Sequence, residues 1–374
     1  MADTPDTKKM KIALVHDYLI QDGGAERVVQ TFHEVWPEAP VFVLLHDRKK
    51  MPAMNGWDVR PSFLQDLPLP LSLYKWLLPL MPAATERHQL EDFDVVLSDT
   101  SSFAKGVITR ADATHICYCH TTTRYLAWSD ARDHVAEQVR SAALASALQP
   151  AMDRLRRWDR MATSRVDRFI ANSETVRDRI TRHYGRDADV IFPPVETARF
   201  RPSDRVGNYY LAGGRLVPYK RFDIIVQAFT KTRLPVKIFG TGPEYARLKA
   251  MAGPTVELLG HVTEEEKADL YAHAIAYLNP QEEDFGITAV EAMAAGRPVI
   301  AYGKGGGAET VIPGVTGEWM DEQSWEELAG TIIKFKPENY DPKVIRAHAE
   351  QFDKEKFKAK IKEYVERTHE NANA

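Results

Sequence analysis

Short β-branched runs alternate with amphipathic stretches of helical length along almost the whole chain, and this alternation constrains the fold more than any other feature. It is the pattern of parallel sheets with crossover helices. Strands are predicted at 11–16, 41–45, 94–98, 115–119, 168–173 and 189–193 in the first half. In the second half, strands at 209–214, 236–240, 256–260, 276–280 and 298–303 each lead into a helix. Thr263 and Glu266 have the spacing of a capping box at the start of one of those helices. Between the halves lies PPVETARFRP, Pro193 to Pro202, stiff at both ends and polar in the middle, as a linker would be. A length of 374 residues lets each half bury its own core. The expected fold class is α/β: two doubly wound Rossmann-like domains, 1–197 and 198–351, facing across a cleft. A charged, strandless, helical tail runs from about residue 341.

Ligands of open α/β sheets bind outside the carboxyl ends of the strands, so the chemistry belongs in the loops there. The net charge of −4 offers no general attraction for nucleic acid or anionic lipid, and any anion site must come from local placement. Cys117 and Cys119, two apart in one predicted strand, share a face and are a poor disulfide pair. They read as reduced packing residues, which suits the cytoplasm. The opening MADTPDTKKM lacks a signal-peptide pattern and no run of eighteen apolar residues exists, so a cytoplasmic location is expected. Two segments are candidates for peripheral contact with the inner face of a membrane. Leu67–Pro82 is apolar but broken by prolines and Lys75, and burial under the first domain is its competing reading. The other carries Arg154, Arg156, Arg157, Arg160, Arg165 and Arg168 among Met, Leu and Trp. Asp153 and Asp159 interleave there, so a solvated helix face competes with contact to anionic lipid.

In HDYLIQDGGAERVV, Gly23 and Gly24 let the backbone come close to a ligand just before a helix, whose N-terminus attracts phosphate or sugar oxygens. The three spaced glycines of a dinucleotide fingerprint are missing, although Asp47 ends the second strand where a ribose-binding acid would sit. In GGRLVPYKRFD, Arg215 and Lys220 lie across a turn bearing Pro218, between a strand and a helix. A guanidinium with an ammonium suits a diphosphate, which presents oxygens in several directions. Gly240 of FGTGPE, and His261 with Val262 of GHVTEEE, stand at neighbouring strand ends where a planar base could stack.

In QEEDFGITAVEAMAAGRPVIAYG, Phe285 and Gly286 form the turn before a helix from about Ile287 to Ala295, closed by Gly296. Free N–H groups near Gly286, Ile287 and Thr288 can receive a second phosphate. Glu291, one turn in, is placed to accept two hydroxyl hydrogens of a vicinal diol such as a ribose. Glu283, before the turn, can reach another group of the same ligand, while Glu282 and Asp284 read as solvated loop charge. His120 ends a strand toward the cleft and is a candidate catalytic residue, with Arg124 to orient it or to meet an acceptor. Asp92-Phe-Asp94 and Asp187-Ala-Asp189 open strands at the opposite edge, so no metal site is indicated.

These residues resemble a family. The second half is similar to the nucleotide-binding domain of the retaining GT-B glycosyltransferases of family four. The likeness lies in Arg215-x4-Lys220, FGTGPE and above all Glu283-x7-Glu291 within EDFGITAVEAMAAGRPVIA. HDYLIQDGGAERV, SSFAKGV and YCHTTTRYLAW are similar to the mannosyltransferases that build bacterial and archaeal surface polysaccharides. The resemblance implies transfer of a hexose, first of all mannose from GDP-mannose, with retention of configuration and with neither metal nor other cofactor. The implied acceptor is a saccharide, free or carried on a polyprenyl diphosphate. Arg215 and Lys220 would hold the donor diphosphate, Glu291 the ribose hydroxyls and Glu283 the transferred sugar. Gly23 and Gly24 would approach the diphosphate and sugar, and His120 would contact the sugar. The family's last helix returns to the first domain, which would put about 352–374 with residues 1–197. The threonines after His120 depart from the proline often found there.

Other readings remain open at this point. The same fold could use a UDP- or ADP-sugar. A non-catalytic sugar-nucleotide binding protein would keep Arg215, Lys220 and Glu291 without requiring His120 or Glu283. A nicotinamide-dependent oxidoreductase would bind its cofactor in the first half.

Overall fold

Strand β1 (Ile12–Leu19) sits inside a parallel sheet with β2 (Val41–His46), β3 (Val59–Pro61), β4 (Val95–Thr100), β5 (Thr114–Cys119), β6 (Arg168–Ala171) and β7 (Ala188–Val190). The order is β3-β2-β1-β4-β5-β6-β7. A second parallel sheet contains β8 (Tyr210–Gly213), β9 (Val236–Phe239), β10 (Val256–Gly260), β11 (Tyr277–Asn279), β12 (Val299–Tyr302) and β13 (Gly317–Met320), in the order β10-β9-β8-β11-β12-β13. The structure is a computed structural model that describes residues 10–127 and 142–373. By internal contacts the chain divides into Met1–Ile191 with Lys358–Ala374, and Phe192–Phe357. The sequence-based cuts were at 197/198 and about 351/352.

All eleven expected strands form. Every residue of β2, β4 and β5 is buried, which is why they read as unbroken apolar runs instead of alternating ones. The two unexpected strands, β3 and β13, are outermost in their sheets. An edge strand tolerates proline, as at Pro61, and needs no continuous apolar stretch, so neither segment carried a strand signature. Local caps fix the helices. Thr263 and Glu266 close a capping box on the Glu264–His273 helix. Ser173 accepts from the Val176 N–H at the start of the Glu174–Tyr184 helix, and Gly185 ends it in the left-handed region.

Strand order reverses between β1 and β4 in the first sheet and between β8 and β11 in the second. Loops leaving the carboxyl ends of those strands splay apart and make the ligand crevice of a doubly wound sheet. The helix Lys354–Asn373 supplies residues of the first unit from Lys358 onward. There Lys358 meets Glu34 at 3.3 Å and the Tyr364 hydroxyl donates to Asp189 at 2.7 Å. Among the described residues no helix is long and apolar enough to cross a membrane.

Candidate functional site

In the second unit the crevice lies where β8, β9 and β11 end. The loop after β8 carries Arg215 and Lys220, and it is held by the turn after β9. Gly214 N donates to the Phe239 carbonyl at 3.1 Å and Leu216 N to that of Thr241 at 2.8 Å. Gly240 and Gly242 make this fit possible. Both have positive φ, and a Cβ at Gly240 would lie 1.8 Å from the Gly214 oxygen, one at Gly242 2.2 Å from that of Leu216. Gly240 thus shapes the cation-bearing loop through its backbone.

Lys220 Nζ meets Glu283 Oε1 at 3.0 Å, so two residues 63 positions apart that sequence reasoning had assigned to one ligand are in contact. The pair is only 15% and 14% exposed. Burial alone would lower the Lys220 pKa, but the Glu283 carboxylate outweighs it and raises it. Gln281 Nε2 also donates to Glu283 Oε1, at 2.9 Å, and to Asn279 Oδ1 at 2.5 Å. Sequence reasoning did not single out this amide pair, whose only signal was polarity at the end of a buried strand. Arg215 is exposed on the same loop.

The turn after Glu283 is as expected. Gly286, at φ 92°, caps the Ile287–Ala294 helix, and the closing glycine Gly296 is left-handed. Thr288 is half-buried, and nearby the Tyr277 hydroxyl donates to the Gly213 carbonyl at 2.9 Å. Phe285 turns its ring into the core against Phe192 and Phe352, leaving only its main chain for a ligand. Ile287 and Val262 are half-buried against the same core, and His261 is exposed. Glu282 is exposed as expected, whereas Asp284 is half-buried and has a partner.

Glu291 departs most from the sequence reading. It is 2% exposed, and both oxygens are already engaged: Oε1 accepts from Lys267 Nζ at 3.1 Å and Oε2 from the Tyr271 hydroxyl at 3.2 Å. The sequence reading placed this carboxylate to accept two hydroxyl hydrogens of a diol; here it is buried and both its oxygens already accept from protein groups. The helix Glu264–His273 lies against this turn and supplies a counter-charge, which makes the buried position tolerable.

In the first unit, His120 follows β5 directly and its Nε2 contacts Asp99 Oδ1. Asp99 Oδ2 contacts His16 Nδ1 at 2.8 Å. His16 and Asp99 are register partners across β1 and β4, and sequence reasoning missed both, since each looks like an ordinary polar residue within an apolar strand. Burial alone would lower the His16 pKa, but the Asp99 hydrogen bond and charge, helped by Glu26 and Asp17, bring it up to about 9. The same two histidines overcome the effect of burial on Asp99 and hold its pKa below the ordinary value. Gly23 and Gly24 open the Gly24–Val35 helix above Glu26, a 5% exposed carboxylate whose pKa is raised by burial. Arg124 is half-buried in a short turn beyond the threonines.

Several bystander readings also resolve. Asp47 spends a carboxylate oxygen on the N–H groups of Lys49 and Lys50, at 3.1 and 3.3 Å, so it caps its own loop. Cys117 and Cys119 are outside any disulfide, buried and packed in one cluster. Asp94 and Asp189 accept from Arg110 and Tyr364 at 2.7 Å each, as strand-entry residues. Asp159 is not solvated: it is 2% exposed and pairs with buried Lys105 at 2.6 Å. The Leu71–Leu80 segment is split, with Leu77 packed inward and Trp76 67% exposed.

Two family models match in tandem, Glycosyltransferase Family 4 over residues 22–199 and Glycosyl transferases group 1 over 197–367. The chain is 29% identical over 269 residues to a D-inositol 3-phosphate glycosyltransferase of Streptomyces bingchenggensis, covering 60% of this chain and 58% of that one. It is 28% identical over 231 residues to a protein of the same name from Rhodococcus opacus, covering 53% and 52%. The chain therefore spans little more than half the length of these curated relatives. Among solved structures, Anabaena HepE in complex with UDP-glucose superposes with a TM-score of 0.70 at 19% identity, covering 96% of this chain and all of the other. The sucrose-phosphate synthase of Thermosynechococcus elongatus gives 0.71 at 18%, covering 96% and 99%. At these identities the likeness is one of fold.

Proposed function

We propose, from the tandem matches to Glycosyltransferase Family 4 and to the group 1 glycosyl transferases, that this chain is a glycosyltransferase that moves a hexosyl group from a nucleotide sugar to a hydroxyl of a saccharide acceptor, with retention of configuration. The observation that carries this reading is the Lys220–Glu283 contact beside the start of the Ile287–Ala294 helix. A cation and a carboxylate thereby stand beside a helix N-terminus, which supports the reading.

A diphosphate entering there draws Lys220 toward its oxygens, with Arg215 on the same loop. Glu283 then turns to a sugar hydroxyl and Glu291 takes the ribose. As the glycosidic bond breaks, negative charge grows on the leaving diphosphate, where Lys220, Arg215 and the helix N-terminus stabilise it. Losing one such preorganised donor typically costs about 3–4 kcal/mol, or roughly 10²–10³ in rate. The acceptor hydroxyl attacks from the face that the nucleotide leaves and passes its proton to a diphosphate oxygen. This route needs no side-chain nucleophile.

The donor in this proposal is GDP-mannose, supported by the likeness of the HDYLIQDGGAERV and YCHTTTRYLAW stretches to mannosyltransferases. A UDP-hexose is the second reading, favoured by the fold neighbour that holds UDP-glucose. The acceptor is a saccharide, free or lipid-linked, in the cytoplasm or at the inner membrane face. Exposed Leu69, Leu73, Trp76 and Leu80 support the peripheral contact.

A thermal-shift panel of GDP-mannose, UDP-glucose and ADP-glucose tests the donor, because a ligand at 100 times its Kd stabilises by about 2.7 kcal/mol. GDP-mannose should raise Tm most, and Lys220→Ala should abolish the rise and most of the transfer. No shift with any nucleotide sugar, or near-normal turnover by both Lys220→Ala and Arg215→Ala, would overturn the assignment.

A further inference from the structure

The first unit contains a charged cluster behind His120. Asp99 is completely sealed from solvent, and each of its oxygens faces a different imidazole: Oδ2 meets His16 Nδ1 at 2.8 Å and Oδ1 meets His120 Nε2. The two histidines are not equivalent. The His16 side chain is 3% exposed, whereas that of His120, just past the end of β5, is 11% exposed. The second nitrogen of His120, Nδ1, has no partner among the described residues and is not one of the sealed polar atoms left without one.

We propose that Asp99, braced by His16, is a positioning residue for His120: it fixes the imidazole proton on Nε2 and leaves the Nδ1 lone pair to accept a hydrogen bond from a ligand hydroxyl. The inference rests on reading His120 as a sugar contact. An ionised carboxylate only accepts, so the nitrogen bound to it carries the hydrogen, and the other nitrogen of a neutral ring must then be the acceptor. On its other side Asp99 holds His16, whose pKa Asp99, Glu26 and Asp17 together bring up to about 9 against the effect of burial.

The groups facing the pair are Asp17 on β1, Glu26 on the Gly24–Val35 helix, and Tyr118 on β5, whose ring meets His120 edge-on at 5.3 Å. Asp17 is fixed by accepting from the N–H groups of Ser101, Phe103 and Ala104 at 2.7–2.8 Å. Acids therefore surround the cluster on the strand side, and a ring offering a lone pair outward selects a neutral hydroxyl over a carboxylate or a phosphate. The ligand class at this position is a sugar hydroxyl.

Nitrogen-15 NMR of the histidine rings in the full chain, without ligand, tests the placement directly. At pH 7.5 His120 should show a protonated Nε2 and a bare Nδ1, and His16 should be protonated on both nitrogens. Asp99→Asn should mix the His120 tautomers and lower kcat by about tenfold to a hundredfold, the cost of one buried hydrogen-bonding group losing its partner, with the donor KM unchanged. A His120 ring protonated on Nδ1 in the wild-type chain would overturn the proposal, and so would an Asp99→Asn protein with unaltered tautomer and kcat. The wild-type measurement requires neither a folded variant nor turnover. Failure of the transferase reading would appear separately, as an intact tautomer pattern with no sugar transfer.

Discussion

Lys267→Met should cost the second unit about 3 kcal/mol. Methionine keeps the length of the side chain that lies over the Phe200 ring, and removes only the ammonium. Glu264 loses a partner at 2.9 Å, but it is 40% exposed and that contact is worth little. Glu291 is different. At 2% exposure it keeps the Tyr271 phenol and loses the Lys267 ammonium. Removing one partner of a buried pair costs about 3–5 kcal/mol, and the surviving Tyr271 bond puts this case at the lower end. For a unit of this size each kcal/mol moves Tm by about 2–4 °C, so the transition should fall by about 6–12 °C. Urea unfolding and calorimetry measure it, with the second-unit transition assigned as the one that a nucleotide sugar raises, since two units need not melt together. Adding Glu291→Gln should restore most of the loss, because the amide still accepts from Tyr271 without a charge to balance. A cost below about 1 kcal/mol at unchanged m value would refute the argument: Glu291 would then not be a buried charge held by Lys267.

Gly240→Ala should destabilise the second unit by at least about 3 kcal/mol and displace the Arg215–Lys220 loop, because positive φ and a backbone atom 1.8 Å from the new Cβ leave nothing free to yield. Normal urea stability in that variant would remove the account of the turn. Asp159→Asn should cost the first unit about 3–5 kcal/mol by leaving the sealed Lys105 ammonium without its carboxylate, as read by urea midpoint. Stability should also fall with rising pH on account of His16. Its folded pKa of about 9 lies above the ordinary 6.5, so the folded state holds the proton more tightly. That contribution is complete below pH 6.5 and is lost as the pH rises through 9, a difference of about 3 kcal/mol. His16→Gln should flatten this part of the pH–stability curve.

Local pattern alone determined most of the architecture. The eleven buried or half-buried strands, the capping box at Thr263 and the glycine turn at Gly286 each follow from periodicity or from a residue with one conformational use, whereas the segment expected as a linker, Pro193 to Pro202, belongs to the second unit and buries Val195 and Phe200 in its core. The Lys220–Glu283 meeting was legible as well, because both residues sit at strand ends of one sheet and strand ends of parallel sheets share an edge. What pattern could not supply was the identity of partners. His16 and Asp99 are 83 residues apart, and they face each other only because β4 returns beside β1 in one register. Glu291 looked open because its own helix could be read but its neighbour could not. The Lys267 and Tyr271 side chains that seal it come from a separate helix, 24 and 20 residues earlier. Asp159 read as solvated for the same reason, until Lys105 was found against it. Periodicity reports which face of an element leaves water. Whether a charge on that face is tolerable depends on what the neighbouring element brings, and only the tertiary structure decides that.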